Sequence, residues 1–322
     1  MCSSDLAYTR VVREDEKQPG LLFAGTETGL YISGDGGQSW HSFQLNLPVT
    51  PILDLVIRHD DLIVATSGRS FWILDDLGLV RQFPSREKEF FLFQPESAHL
   101  SNHGSPLNSN DSGFTGQSAL RGVNPANGIV IYYNLPKLEK EQQIELEIFD
   151  QAGKRVNRFS SKKDEQFQRY AGGPSPAPVL SRDKGMNRFV WNMRYAGMPG
   201  IPTAYIEGSY RGHKAAPGKY RVRLTLGKKQ LDADFEIRAN PLYKVSSQDY
   251  LEFHQVMSEM EANLATMHRK TNRLFKYQGQ LNRLLKMLPK TEKLKAVRLQ
   301  GEELAKKLKT WDEEMVQRKS KA

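Results

Sequence analysis

The chain has 322 residues, 39% of them hydrophobic and 26% charged, and a formal net charge of +9. That length holds two or three domains with sizeable cores. The single cysteine, Cys2, excludes an intrachain disulfide, and no apolar run is long enough to cross a bilayer.

The start, Met1-Cys2-Ser3-Ser4-Asp5-Leu6, has neither a basic n-region nor an apolar h-region and leads straight into strand-like sequence. The expectation is a chain that begins inside a larger protein. Residues 7–45 read as one four-stranded unit: Ala7 to Arg13, Leu21 to Gly25 after a Gln18-Pro19-Gly20 turn, Gly29 to Ser33, and Trp40 to Leu45. Between the last two strands lies Ser33-Gly34-Asp35-Gly36-Gly37-Gln38-Ser39-Trp40. Asp35 suits a turn because its carboxylate accepts hydrogen bonds from nearby amides, while Gly36 and Gly37 reach positive φ without strain. Ser33 and Ser39 can tie the strand ends, and Trp40 offers a large face with one N–H to satisfy.

Residues 49–93 repeat the plan. Ile52 to Ile57 is a strand, His59-Asp60-Asp61 a turn, and Leu62 to Thr66 a buried run. Ser70 to Asp76 is the third strand with its turn, and Phe90 to Phe93 the closing strand. About four strands in every ~40–50 residues is the periodicity of a propeller. Two such units do not close a ring, which takes roughly four or more.

The stretch Ser33 to Trp40 resembles the Asp-box of bacterial neuraminidase-type (BNR) repeats at Ser33, Asp35, Gly37, Ser39 and Trp40. Leu22 to Ser33 ahead of the box, and Asp61 to Asp76 with its Gly68-Arg69-Ser70-Phe71-Trp72 core, resemble the late blades of sortilin/VPS10-like bacterial BNR proteins. Those proteins are often labelled glycosyl hydrolases. The family often carries His before the Gly-Arg pair, where this chain has Ser67. The resemblance implies a structural box on a blade's outer hairpin, further blades upstream, and a secreted, periplasmic or cell-envelope location.

Residues 94–127, rich in Ser, Asn, Gly and Pro, read as a long surface connection. Residues 128–240 read as a β-sandwich of immunoglobulin-like type. Ile129 to Tyr133 is a strand, Ile144, Leu146 and Ile148 alternate with glutamates, and Phe189, Trp191 and Met193 share a face. Tyr220, Val222 and Leu224 alternate with cations, and Ala233, Phe235 and Ile237 complete the set. Residues 161–184 and 196–216 are irregular insertions.

Residues 246–318 read as an antiparallel helical hairpin. Ser246 or Ser247 caps the first helix, with Asp249 in its first turn. Its apolar stripe is Val256, Met260, Leu264, Met267, Leu274, Leu281, Leu284 and Leu288, and Pro289 ends it. Leu294, Val297, Leu304, Leu308, Trp311 and Met315 form the stripe of the second. From Lys244 onward there are 17 Lys/Arg and 10 Asp/Glu, so +7 of the net charge sits here. The simplest reading of that charge is a solvated helix face, with binding to a partner or an anionic surface as the alternative; a nucleic-acid-binding tail is the weakest reading, and nucleic acid is not an expected partner.

Catalytic signals are sparse. No His-Glu-x-x-His, phosphate-binding loop or nucleophile elbow occurs. A sialidase needs an arginine cluster, a Tyr/Glu pair and an acid gathered from several blades. The nearest group is Arg69 with Asp75 and Asp76, read as a candidate ligand contact beside a structural or edge role. His99 and His103 lie four apart in a loop without a third ligand nearby in sequence, so no metal or cofactor is expected.

The chain is thus expected to be multidomain and mainly β: partial propeller at 1–93, linker at 94–127, sandwich at 128–240 and hairpin at 246–318. The expected role is non-catalytic interaction or scaffolding with a protein or glycan partner. The alternative is the C-terminal part of a glycoside hydrolase whose active site lies mostly in other blades.

Overall fold

The computed structural model describes residues 8–82, 90–108, 123–167, 169–204, 206 and 208–317. Cys2, the first residue of the expected strand at Ala7, and residues 109–122 of the expected connection lie outside the described residues. The chain is mainly β, built of several sheets, one of them curled into a half-barrel, with helices at its C-terminal end. It divides into two compact units, Met1–Gln142 with Ser181–Asn192 and Arg221–Glu236, and Gln143–Leu180 with Met193–Tyr220 and Ile237–Ala322.

The first unit opens with two antiparallel meanders. One runs β1 (Thr9–Glu14), β2 (Leu22–Thr26), β3 (Leu30–Ser33), β4 (His41–Ser42); the other runs β5 (Ile52–Arg58), β6 (Asp61–Thr66), β7 (Phe71–Leu74). Alternation sends Leu62, Val64 and Thr66 of β6 inward, where the first two join Val11, Phe23, Leu30, Ile52 and Leu55 in one core. The meanders pack closely at Gly25, where a methyl group would fall 2.6 Å from Ile52 Cγ2 and 2.8 Å from Val11 Cγ1. His59 and Asp60, both at positive φ, make the two-residue turn between β5 and β6. Asp60 then pairs with Lys17 and Arg81, and Arg81 also holds the buried Asp15 at 2.8 Å.

Three local expectations change. The strand expected from Trp40 to Leu45 shrinks to β4, because Leu45 takes φ 46° and Gln44 turns its side chain onto Leu30 N–H, Leu47 O and Pro48 O. The segment expected to close the second meander instead forms β8 (Phe91–Leu92), which pairs with β10 (Ile129–Leu135). A short apolar strand joins whichever edge is open to it, and here that edge is at Tyr133. Between β7 and β8 lies an unexpected helix, α1 (Leu77–Arg81), with Leu77 in the meander core.

The unit continues with the sheet β13-β10-β8, where β13 is Gly185–Trp191. It also holds most of the hairpin of β14 (Gly218–Leu226) and β15 (Lys229–Arg238), with β9 (Ala98–His99) beside β15. Trp191 and Phe235 meet edge-on at 6.0 Å, and the buried Tyr133 donates its hydroxyl to Ser181 O at 2.7 Å.

The second unit begins with the hairpin of β11 (Ile144–Asp150) and β12 (Arg155–Ser160) around the expected Asp150–Gly153 turn, whose amides Asp150 accepts at 2.9 Å. Between β13 and β14, the described residues 193–204, 206 and 208–217 form a loop that folds on itself, with Tyr195 N–H on His213 O and Met198 N–H on Tyr210 O. The long helix α2 (Ser247–Met287) starts at Ser246 with a reciprocal capping box to Asp249. A 3₁₀ turn at Glu292–Leu294 leads into α3 (Lys295–Met315), which folds back on α2 at Leu285–Gly301. Val316 then packs with Ile201 and Ala204.

The helices form as expected, but much of each stripe does not face inward. In α3 the packed line is Leu294, Arg298, Gly301, Ala305, Leu308, Asp312 and Val316, one residue out of phase with Val297, Leu304, Trp311 and Met315, which stay exposed. Gly301 belongs to this packed line, where a methyl group would fall 2.6 Å from the Leu285 Cδ2 methyl, so the two helices approach closely there. In the first half of α2 the packed line is His254, Glu261, Ala265 and His268, leaving Val256, Met260, Leu264 and Met267 exposed. No described helix is long and apolar enough to cross a membrane.

Candidate functional site

The box residues form a closed network at the end of β3. Ser33 Oγ donates to Asp35 Oδ1 at 2.7 Å and accepts Gly37 N–H at 2.9 Å. Asp35 Oδ1 also accepts Ser39 N–H at 2.9 Å, and Oδ2 accepts the Ser39 hydroxyl at 2.5 Å. Gly36 and Gly37 take φ of 72° and 89°, and Gly36 N–H ties the turn to Gly20 O at 3.0 Å. The Ser39 hydroxyl, its amide and the Ser33 hydroxyl hold the Asp35 carboxyl well below the usual carboxylate range. Trp40 donates its indole N–H to Gly37 O at 3.1 Å and remains 38% exposed, so it covers the turn rather than filling a core. Asp35 is held ionised and bonded within the turn, an arrangement suited to structure rather than proton transfer.

In the second group, no ion pair among the described residues joins Arg69 to Asp75 or Asp76. Arg69 is exposed and makes no ion pair among the described residues, while its carbonyl accepts the Trp72 indole N–H at 2.9 Å. Asp75 is exposed, with its pKa raised by partial burial and by Asp61. Asp76 sits in the left-handed region at the start of α1, with Oδ1 buried and without a hydrogen-bond partner. Glu96, a residue the sequence reading did not select, comes to the same place. A methyl group at Gly78 would overlap Glu96 Oε1 and lie 3.1 Å from Asp76 Oδ1. Burial first, then Glu96, pushes the Asp76 carboxyl up to about 6.

A second cluster of titratable groups lies in the second unit. Glu261 accepts His213 N–H at 2.7 Å through Oε1 and contacts His213 Nδ1 at 2.8 Å through Oε2. A carboxylate there keeps the proton on Nδ1, so His213 Nε2 is the acceptor for His254 Nδ1–H at 2.8 Å. His254 Nε2 then faces the Tyr195 hydroxyl at 3.4 Å, and the Tyr195 ring stacks on His213 at 4.5 Å. Burial, then His213 and Lys154, lower the His254 pKa against the opposing pull of Asp150 and Glu261. Burial pushes the Tyr195 hydroxyl up to about 12. Beside the cluster is a cleft of about 130 Å³ lined by Asp150, Tyr195, Lys219, Tyr220, Leu251 and His254.

This chain of groups fastens α2 to the loop that precedes β14. The sequence reading missed it because its members come from three separated segments. The only local trace is His254 and Glu261, seven residues apart and so on one helix face. Among the described residues, no three or more His, Cys, Asp or Glu are arranged to hold a metal ion. No protein-family model matches the chain, and no curated protein matches it.

Proposed function

We propose that the chain is a non-catalytic interaction or scaffolding module of a BNR/sortilin-like propeller protein at the cell envelope or outside the cell. In this reading the meanders are two late blades, residues 128–240 are an immunoglobulin-like module, and the helices carry binding surface for a protein or glycan partner. The observation that supports it best is the box itself. Ser33, Asp35, Gly37, Ser39 and Trp40 bond to one another as a turn-closing structure does. The test is turnover of aryl glycosides, sialosides included, across pH about 4 to 8. The expected result is none. Turnover abolished by Asp76→Asn would overturn the reading.

One observation favours a second reading, a part of a glycoside hydrolase. Asp76 is a carboxyl held protonated to about 6 beside a second carboxylate, as the acid of a glycosidase pair is. Activity that depends on Asp76 only when further blades are joined to this chain would support it.

A further inference from the structure

The second half of α2 has two of its sides occupied. His268 and Asn272 bond to Pro199 O and Gly200 O, each at 2.8 Å. Leu274, Leu281, Leu285 and Leu288 lie on the half-buried line against which α3 folds back. At 3.6 residues per turn, a third side is centred about 130° round from that line. It carries Arg269, Arg273, Lys276 and Arg283, all exposed. Tyr277, Leu284 and Met287 share it, and the seven side chains fall within a sector of about 120°.

The charge on this side is uncompensated. Residues 268–290 carry seven Lys/Arg and no Asp or Glu. Around α3 the cations have acids beside them, Lys295 with Glu292, Lys307 with Glu303 and Lys309 with Glu313. On this side of α2 the polar partners are neutral. Arg269 donates to the Thr266 hydroxyl, Arg273 to the Tyr277 hydroxyl and Arg283 to Gly279 O. The row from Arg269 to Arg283 is about 21 Å long and attracts an extended anion.

The apolar members say which anion. Leu284 and Met287 are 63% and 79% exposed, in the last turn of α2 amid Arg283, Lys286 and Lys290. A nucleic acid or an acidic polysaccharide supplies charge but nothing to cover a leucine and a methionine. A bilayer of anionic phospholipid supplies both, phosphate at its surface and hydrocarbon just beneath.

We infer that the second half of α2 docks on the surface of an anionic phospholipid bilayer. Leu284, Met287 and Tyr277 enter the boundary between headgroups and acyl chains. The four cations lay their stems along the helix and turn their charged ends to the phosphates. Glu252 and Glu259 lie on the same side of the first half, so repulsion keeps that half off the surface and the end at Met287 goes in first. The helix rests on the membrane and does not span it; no described helix is long and apolar enough to cross one. This goes beyond the function proposed above and holds whether or not the meanders are propeller blades.

Sedimentation of the full 322-residue chain with vesicles tests it. Phosphatidylcholine vesicles with about 30% phosphatidylglycerol should bind it at about 0.05 M salt, at least about 10-fold more weakly at about 0.3 M, and pure phosphatidylcholine not at all. Arg273→Gln with Lys276→Gln should weaken binding about 30-fold, about 5-fold for each cation. Lys162→Gln with Lys163→Gln, the same change of charge on another exposed segment, should alter it by less than about 2-fold. Leu284→Ser with Met287→Ser should weaken it by about 10-fold at either salt concentration. In a Cys2→Ser background, a polarity-sensitive fluorophore on Leu284→Cys should shift to the blue on the vesicles, and one on Val256→Cys should not. Equal binding to neutral vesicles, no binding at the lower salt, or an equal loss in the Lys162 and Lys163 variant overturns the inference. So does binding to polyuridylate but not to vesicles, unchanged by Leu284→Ser with Met287→Ser. Glycoside turnover would sink the proposed function and leave membrane docking standing; a chain with neither turnover nor vesicle binding would sink the docking alone.

Discussion

Asp35 holds Ser39 with both carboxylate oxygens, Oδ1 on the amide at 2.9 Å and Oδ2 on the hydroxyl at 2.5 Å. Asp35→Ala removes both bonds and the one from Ser33, so the amides of Gly37 and Ser39 should exchange with solvent faster. Its depressed pKa gives the sign with acid. The contribution is present above the ordinary carboxylate range and is lost as pH falls through about 4 and below. Hydrogen exchange of those two amides at pH about 7 and about 3 is the check. Equal protection in variant and parent would remove the structural role. Trp40→Ala should cost about 1–2 kcal/mol, less than the ~3–5 of a buried Trp, because the ring is 38% exposed.

Arg81→Leu should destabilise the first unit by about 3–5 kcal/mol. Its guanidinium faces Asp15, whose side chain is wholly buried, and no water can replace it cheaply. Adding Asp15→Asn should recover part of the loss, since the orphan charge is then gone. Urea unfolding of the two variants measures both numbers. An Arg81→Leu protein as stable as the parent would mean that Asp15 has another counter-charge.

Asp76 titrates in the opposite sense to Asp35. Its folded-state pKa is raised to about 6 from an ordinary 3.8, so the folded chain binds the extra proton between those values. Stability from this group is therefore full below about 4 and lost as pH rises to about 6. Asp76→Asn keeps a residue tolerant of φ 63° and removes the charge. It should flatten that slope and stabilise the protein at pH 7 by about 1–2 kcal/mol, allowing for solvent screening. A variant less stable than the parent at pH 7 would show that the carboxylate has a cation partner.

His254 sets a slope in the second unit. Its folded-state pKa lies below 6.5, chiefly through burial, with His213 and Lys154 adding to it. The unfolded chain therefore takes up a proton first as pH falls, and stability present above about 6.5 is lost below it. Glu261 and Asp150 pull the other way, while the raised pKa of Tyr195 keeps its hydroxyl neutral throughout. Exchange of the α2 amides from Leu251 to Leu264 should quicken between pH about 7 and about 5, after correction for intrinsic rates. His254→Gln should abolish the change. A parent protein with flat protection over that range would contradict the arrangement.

Much of the architecture was legible because it depends on neighbours in sequence. Alternation located Ile129, Ile131 and Tyr133 in β10, and Ile144, Leu146 and Ile148 in β11, all buried. Ser246 and Asp249 marked the start of α2, and Gly36 and Gly37 marked the turn before Ser39. These follow from backbone geometry and from hydrogen bonds a few residues long. Tertiary structure decided which partner each surface met. The strand at Phe91–Leu92 had a face suited to any open edge, and only folding set it beside Tyr133. Glu96 reached Asp76 because Gly78 leaves room for it, and no spacing rule connects residues 20 apart in that way. The helices carry the same lesson. Periodicity marked an apolar stripe on α2, but His213 drew His254 and Glu261 inward and rotated the first half of that stripe into water. A period records which residues share a face. The direction of the face is set by the free energy of contacts between residues far apart in the chain.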